Sequence, residues 1–251
     1  MHTRENNEEH SQGVTLMTGG SVRRQIVRFA LPVFWGNLSQ QLYNIVDSLV
    51  VGNFLGSDAL SAVGSSGHII FLLVGLFSGL FTGASVVISG YFGAQEHQKM
   101  HTAIHTTVAF GLLAGVVLSA VGVAVSPTLL RWIGTPESVF ANSALYFRIY
   151  FSGVVFVTLY NTATGILQAV GDSRHPLYYL IISSVTNVVL DLLFVAVFHM
   201  GVDGAALATV ISQAVSAVLG FIRLIRSDAI YRVEPKKIRL NGPMLAKVLH
   251  M

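Results

Sequence analysis

In this chain of 251 residues, apolar side chains make up 53% and charged ones only 11%, too few to cover a water-facing surface, since soluble domains average roughly 25% charged. With a mean hydropathy of +0.65, most of its surface is expected to face lipid. The absence of cysteine excludes disulfides, thiolate metal sites and haem attachment. The net charge of +3 does not mark a nucleic-acid binder, because the basic residues sit in loops between apolar runs.

Residues 1–21 read as a polar tail carrying Glu5, Glu8 and Glu9. The tail has no apolar stretch and so is not a cleaved signal peptide. Six apolar segments follow, near Arg28–Val51, Ala59–Phe92, Thr102–Val125, Ser138–Val170, Pro176–Phe198 and Val202–Ile225. Each is about 20 residues or longer, enough to cross a hydrocarbon core of ~30 Å. The breaks carry turn residues, at Gly52–Asp58, Gly93–Lys99, Ser126–Glu137, Gly171–His175 and Met200–Gly201. The expected fold is all-α: a six-helix integral membrane bundle over 22–227, then a connector over 228–251.

Every Lys and Arg except Arg131 and Arg148 falls on one side of these segments. The excess of positive charge on the cytoplasmic side then predicts a multi-pass protein of the plasma membrane with both ends cytoplasmic. Gly75, Gly79 and Gly83 in helix 2, with Gly111 and Gly115 in helix 3, recur every fourth residue and are expected to let neighbouring helices approach closely.

A carboxylate at mid-bilayer costs roughly 2.5–3.5 kcal/mol on insertion scales. Two acids nevertheless lie inside apolar runs, Asp47 in helix 1 and Asp191 in helix 5. Each belongs to a polar stripe. Gln40, Asn44 and Asp47 share one helical face, extended by Asn37, and Ser184, Asn187 and Asp191 share another. Helix 4 carries Asn161, Thr164 and Gln168, with Tyr146 and Tyr150 further along, and helix 6 carries Thr209, Gln213 and Ser216. Lipid cannot satisfy these groups, so the stripes are expected to face inward together, as a wet cavity or as interhelical hydrogen-bonding glue. Arg148 is the one cation placed to neutralise an acid. Without it, each Asp must be protonated, hydrated or bound to a cation. Carboxylate, amide and hydroxyl oxygens suit Na⁺ or H⁺ rather than a soft metal, and Asp191, Asn187 and Thr209 are one such set.

His97, His101 and His105 recur every fourth residue and read as a hydrated helix end, a metal ladder or a pH sensor. His68 reads as a core histidine. Pro32, inside helix 1, reads as a kink or a hinge. No phosphate-binding GxxxxGK[ST] loop or nucleophilic triad is present, so neither nucleotide-driven pumping nor enzymatic chemistry is expected, and no cofactor is called for.

The run from Gln40 through Asn44 and Asp47 to Gly52, and the run Asp58–Gly64, resemble the first two helices of the multidrug and toxic compound extrusion family. The stretch Gly165–Pro176 and the segment Asn187–Asp191 resemble its helix 4–5 junction and its helix 5. The resemblance covers Ser21–Ser227 and fits the bacterial multidrug branch. It implies one six-helix lobe, the N-terminal one, of a twelve-helix transporter exporting lipophilic organic cations in exchange for Na⁺ or H⁺. By the same resemblance the cation site falls on Asp47, Asn187, Asp191 and Thr209, and Na⁺ would sit there. Gln40, Asn44, Tyr146, Asn161 and Thr164 fall on the cavity lining, and Pro32 on the helix 1 hinge. A second six-helix lobe is the expected missing partner, so a fragment inactive alone is one alternative. A flippase for lipid-linked precursors is another, and its pyrophosphate cargo calls for more cationic groups than Arg148.

Overall fold

A computed structural model describes residues 21–250, side chains excepted at 22, 65–74, 76–78 and 80. The assignments made to the tail before Ser21 and to His68 fall outside the described residues and side chains. The described residues are predominantly helical, without a strand. In chain order the helices are α1 (Val22–Gly93), α2 (His97–Trp132), α3 (Glu137–Ser152), α4 (Val154–Ala169), α5 (Arg174–Asp191), α6 (Val202–Arg226) and α7 (Gly242–Leu249).

Helices 1 and 2 of the sequence reading are joined more tightly than the turn residues over 52–58 suggested. Only Gly56 leaves helical geometry, at φ 84° and ψ −177°, a backbone region essentially reserved for glycine. It divides α1 into two arms, 22–55 and 57–93. The first packs along α5, where Gly36 lies against Leu177 and Leu180. The second packs toward α4, where Ser85 Oγ donates to the Gly165 carbonyl at 2.6 Å.

The expected continuous helix 4 is broken. α3 and α4 meet at Gly153 with a bend of 44°. A Cβ on Gly153 would collide with Val210 of α6, so glycine lets α6 pass close to the break. The bend frees the Val155 N–H, and Ser119 of α2 accepts it at 3.1 Å. The expected helix 5 is also interrupted: α5 ends at Asp191 and passes into a π-helical turn, Leu192–Val197.

Glycines of α2 do seat neighbouring helices. Gly111 faces Thr162, Gly115 faces Thr158 and the Val155 backbone, and Gly122 faces Phe151. Gly75 and Gly79 have no described neighbour within 4 Å of a built Cβ, so the groove expected there is not filled by the described residues.

Among the described residues, three helices are long and apolar enough to cross a membrane, α2, α6 and α5 with its π turn. A fourth follows if the bent α3–α4 pair is one span. The two arms of α1, each longer than the roughly 20 residues a span requires, were the remaining two of the six expected. Outward positions are apolar, among them Leu113, Val117 and Val121 of α2, and Val185 and Val189 of α5, as a lipid-facing surface requires.

Up-and-down packing gathers the start of α2, the α4–α5 junction and the chain after α6 at one end. There Phe92, Met100, Ile104, Val170, Leu224 and Tyr231 form a buried cluster. The basic residues after Arg223 lie at this end. Gly56 and the turns after α2 and α5 lie at the other. Met244 and Val248 of α7 pack into the same cluster. The sequence reading placed only a connector here, without a helix.

Candidate functional site

The first arm of α1, α5 and α6 bring four polar side chains to one buried place. Asp47 is 8% exposed, Asn187 and Asp191 0%, and Thr209 4%. With its amide turned so that each end meets a complementary partner, Asn187 donates from Nδ2 to Asp191 Oδ2 at 2.8 Å and accepts the Thr209 N–H at 3.3 Å. Asn187 and Asp191 are one turn apart on α5, which lets one residue orient the other. Thr209 Oγ1 donates to the Ala205 carbonyl at 3.1 Å and receives the Tyr43 hydroxyl at 3.5 Å.

The Asp47 and Asp191 carboxyl groups act on one another electrostatically in this buried place. Oδ1 of each acid is buried without a hydrogen-bond partner. Arg148, the one cation placed to neutralise them, is exposed on α3, and no described ion pair joins it to either acid. The acids also sit nearer the Gly56 end than the basic end: Asp47 is nine residues before Gly56, about 13 Å along a helix.

The remaining predicted residues are scattered around this place. Tyr146 is buried and stacks on Tyr150, with ring centroids 6.4 Å apart. Gln40 and Thr164 are half-buried. Asn161 is half-buried too, but its amide donates to the Val157 carbonyl of its own helix at 2.9 Å. Asn44 is exposed and pairs with Gln41 at 3.3 Å. Pro32 lies half-buried inside α1.

The stripes therefore do not all converge. Several members return to their own helix, as Ser184 does to Leu180 and Ser216 to Gln213, which satisfies a hydroxyl locally. Asn37, Gln41, Asn44 and Ser48 instead form an exposed polar flank on the first arm of α1. Sequence reasoning missed the π turn that follows Asp191. Such turns concentrate at functional sites, but no residue type marks this one.

His97 is exposed, while His105 is 4% exposed and fully engaged. Its Nδ1 faces the His101 carbonyl at 2.7 Å and its Nε2 accepts the Glu234 N–H at 3.0 Å. These partners select the neutral tautomer with the proton on Nδ1. Among the described residues, no group of three or more His, Asp or Glu is arranged to hold a metal.

Apolar-faced helices thus enclose a buried pair of acids that no described ion pair neutralises. The MatE family profile matches residues 32–193, and the chain belongs to that family. It is 34% identical to "Probable multidrug resistance protein YpnP" of Bacillus subtilis over 83% of this chain and 47% of that protein. It is 38% identical to "Probable multidrug resistance protein YoeA" of the same organism over 76% and 42%. Among solved structures, the "Crystal structure of MATE in the bent conformation" superposes with a TM-score of 0.87 at 26% identity, covering 95% of this chain and 53% of that one. The chain spans about half the length of the relatives it matches.

Proposed function

We propose that this chain acts as one lobe of a secondary active exporter that expels lipophilic organic cations in exchange for Na⁺ or H⁺. The observation that carries the reading is the pair Asp47–Asp191, buried together with no basic partner among the described residues. Two carboxylates this close and this deep cannot both stay charged without a compensating cation. A proton, or a Na⁺ held by the carboxyl oxygens with those of Asn187 and Thr209, supplies the compensation. Both are hard cations that suit oxygen donors. The relatives named for multidrug resistance support drugs as the cargo.

Binding and release of that cation shift the lobe between two states. The cation favours one and the drug the other, and this difference in affinity is the coupling. Pro32, which leaves the Arg28 carbonyl without its helical donor, is the hinge through which a change at Asp47 moves the cavity-facing part of α1. In this reading Gln40, Asn44, Tyr146, Asn161 and Thr164 line the drug path. The exposed flank from Asn37 to Ser48 faces a second six-helix lobe across a wet cleft, because lipid cannot satisfy amides. The chain spans the plasma membrane with its basic end, and hence both ends of the lobe, on the cytoplasmic side.

The test is export of a cationic dye from proteoliposomes holding this chain together with a second six-helix lobe, under an imposed Na⁺ or proton gradient. Export is expected, and its loss when Asp47→Asn and Asp191→Asn are combined. Export that survives the double substitution refutes the coupling role.

A further inference from the structure

The basic end of the bundle holds a cavity of about 600 Å³ between the start of α2 and the chain that follows α6. This volume falls within the roughly 300–1,000 Å³ of small-molecule sites. One wall is His101, His105 and Thr106 of α2, and the other is Lys236, Lys237 and Arg239. The walls are fixed to each other, because His105 Nε2 accepts the backbone N–H of Glu234. Asn241, at the rim, caps α7 by accepting the Met244 N–H at 3.0 Å.

Two observations point to a ligand. The charge is unbalanced: Glu234 is the one carboxylate of the lining and is paired with Lys237 at 2.7 Å. No described ion pair involves Lys236 or Arg239. Independently, Thr106 is 1% exposed, and its Oγ1 is buried without a hydrogen-bond partner. A solvated basic face does not account for a buried, unpartnered hydroxyl on a lining residue. An anionic oxygen accounts for it and for the surplus charge, because it accepts from a hydroxyl and from two or more cations at once.

We propose that this cavity binds a phosphoryl group, held by Lys236, Arg239 and the Thr106 hydroxyl. The group is either the headgroup of an anionic phospholipid or a free phosphate. A basic pocket at the cytoplasmic margin of a helix bundle suits the first, and the exposed lysines admit the second. The site shares no residue with the acid pair, so its success or failure leaves the ion-coupling reading untouched.

The test uses the full chain, purified in a neutral detergent. The thermal unfolding midpoint is followed against inorganic phosphate at constant ionic strength, and separately against phosphatidylglycerol with phosphatidylcholine as the reference. A saturable rise is expected in at least one arm. Phosphate alone identifies a soluble anion, and phosphatidylglycerol alone identifies a lipid headgroup. Lys236→Gln with Arg239→Gln is expected to abolish the rise, and Thr106→Val to weaken binding about tenfold through loss of one charge-assisted hydrogen bond. The proposal is overturned by the absence of a saturable rise in both arms. It is equally overturned by an undiminished rise in the double variant, or by a Thr106→Val chain with unchanged affinity.

Discussion

Asn187 stands between Asp191 and Thr209, donating to the acid at 2.8 Å and accepting from the threonine backbone at 3.3 Å. It thereby ties α5 to α6 at the level of the acid pair. Asn187→Leu keeps the volume but removes both bonds, leaving Asp191 Oδ2 buried without a donor. An unsatisfied buried group of this kind costs about 1–3 kcal/mol. The midpoint of thermal unfolding in detergent is expected to fall accordingly, and to fall less when Asp191→Leu is added, since the group left orphaned is then gone.

Gly56 carries the reversal of α1 in a single residue. Gly56→Ala places a Cβ at φ 84° and ψ −177°, a strain of order 1–3 kcal/mol. The built Cβ has no neighbour within 4 Å, so the loss arises from the backbone alone. Unfolding in a denaturant series is expected to show this loss.

Gly153→Ala is expected to be harmful for a different reason. Its backbone angles are ordinary, φ −94° and ψ −3°, but the new methyl meets the stiff side chain of Val210, next to Thr209. Overpacking of this sort costs about 1–3 kcal/mol. Gly90→Ala is the control: with nothing within 4 Å, it is expected to stabilise its helix by about 0.5–1 kcal/mol. Comparison of the two variants by thermal unfolding separates crowding from helix propensity.

The chain after α6 should loosen on acidification. The hydrogen bond and charge of Lys237 hold the Glu234 carboxyl below the usual range. A lowered carboxyl pKa contributes to stability above its unfolded value, and the contribution is lost as pH falls through the folded one. The pair is exposed, so its share is small. His105 Nε2, which accepts the Glu234 N–H, holds the same segment against α2. Amide exchange over 228–241, after correction for the intrinsic pH dependence, is expected to speed up in acid. It is expected to be fast already at neutral pH in His105→Phe.

Much of this architecture is legible in the sequence, because a membrane exposes the anomaly. Hydrocarbon makes an acid inside an apolar run stand out, and helical periodicity then aligns Asn187 with Asp191. The structure adds Asp47 at the same place. The resemblance had grouped all four, while oxygen-donor chemistry alone had joined Asn187 and Thr209 to Asp191. What escaped the sequence lies in single-residue backbone events and distant pairings. Nothing in the composition of Ser138–Val170 marks Gly153 as a break rather than one more packing glycine. The π turn after Asp191 has an ordinary Leu-Leu-Phe-Val-Ala-Val sequence. The bond between His105 and Glu234 joins residues 129 apart, beyond any local pattern. The stripes also do not foretell that Asn161, Ser184 and Ser216 each bond a carbonyl of their own helix.

The central claim is that Asp47 and Asp191 together hold an exchangeable cation. Infrared spectroscopy of the chain carrying ¹³C-labelled aspartate, in sodium-free buffer at neutral pH, reads it most directly. A protonated-carboxyl band that disappears when Asp47→Asn and Asp191→Asn are combined, and that shifts or weakens when Na⁺ or alkali is added, is the predicted result. A spectrum in which every aspartate is ionised at neutral pH without Na⁺ would contradict it.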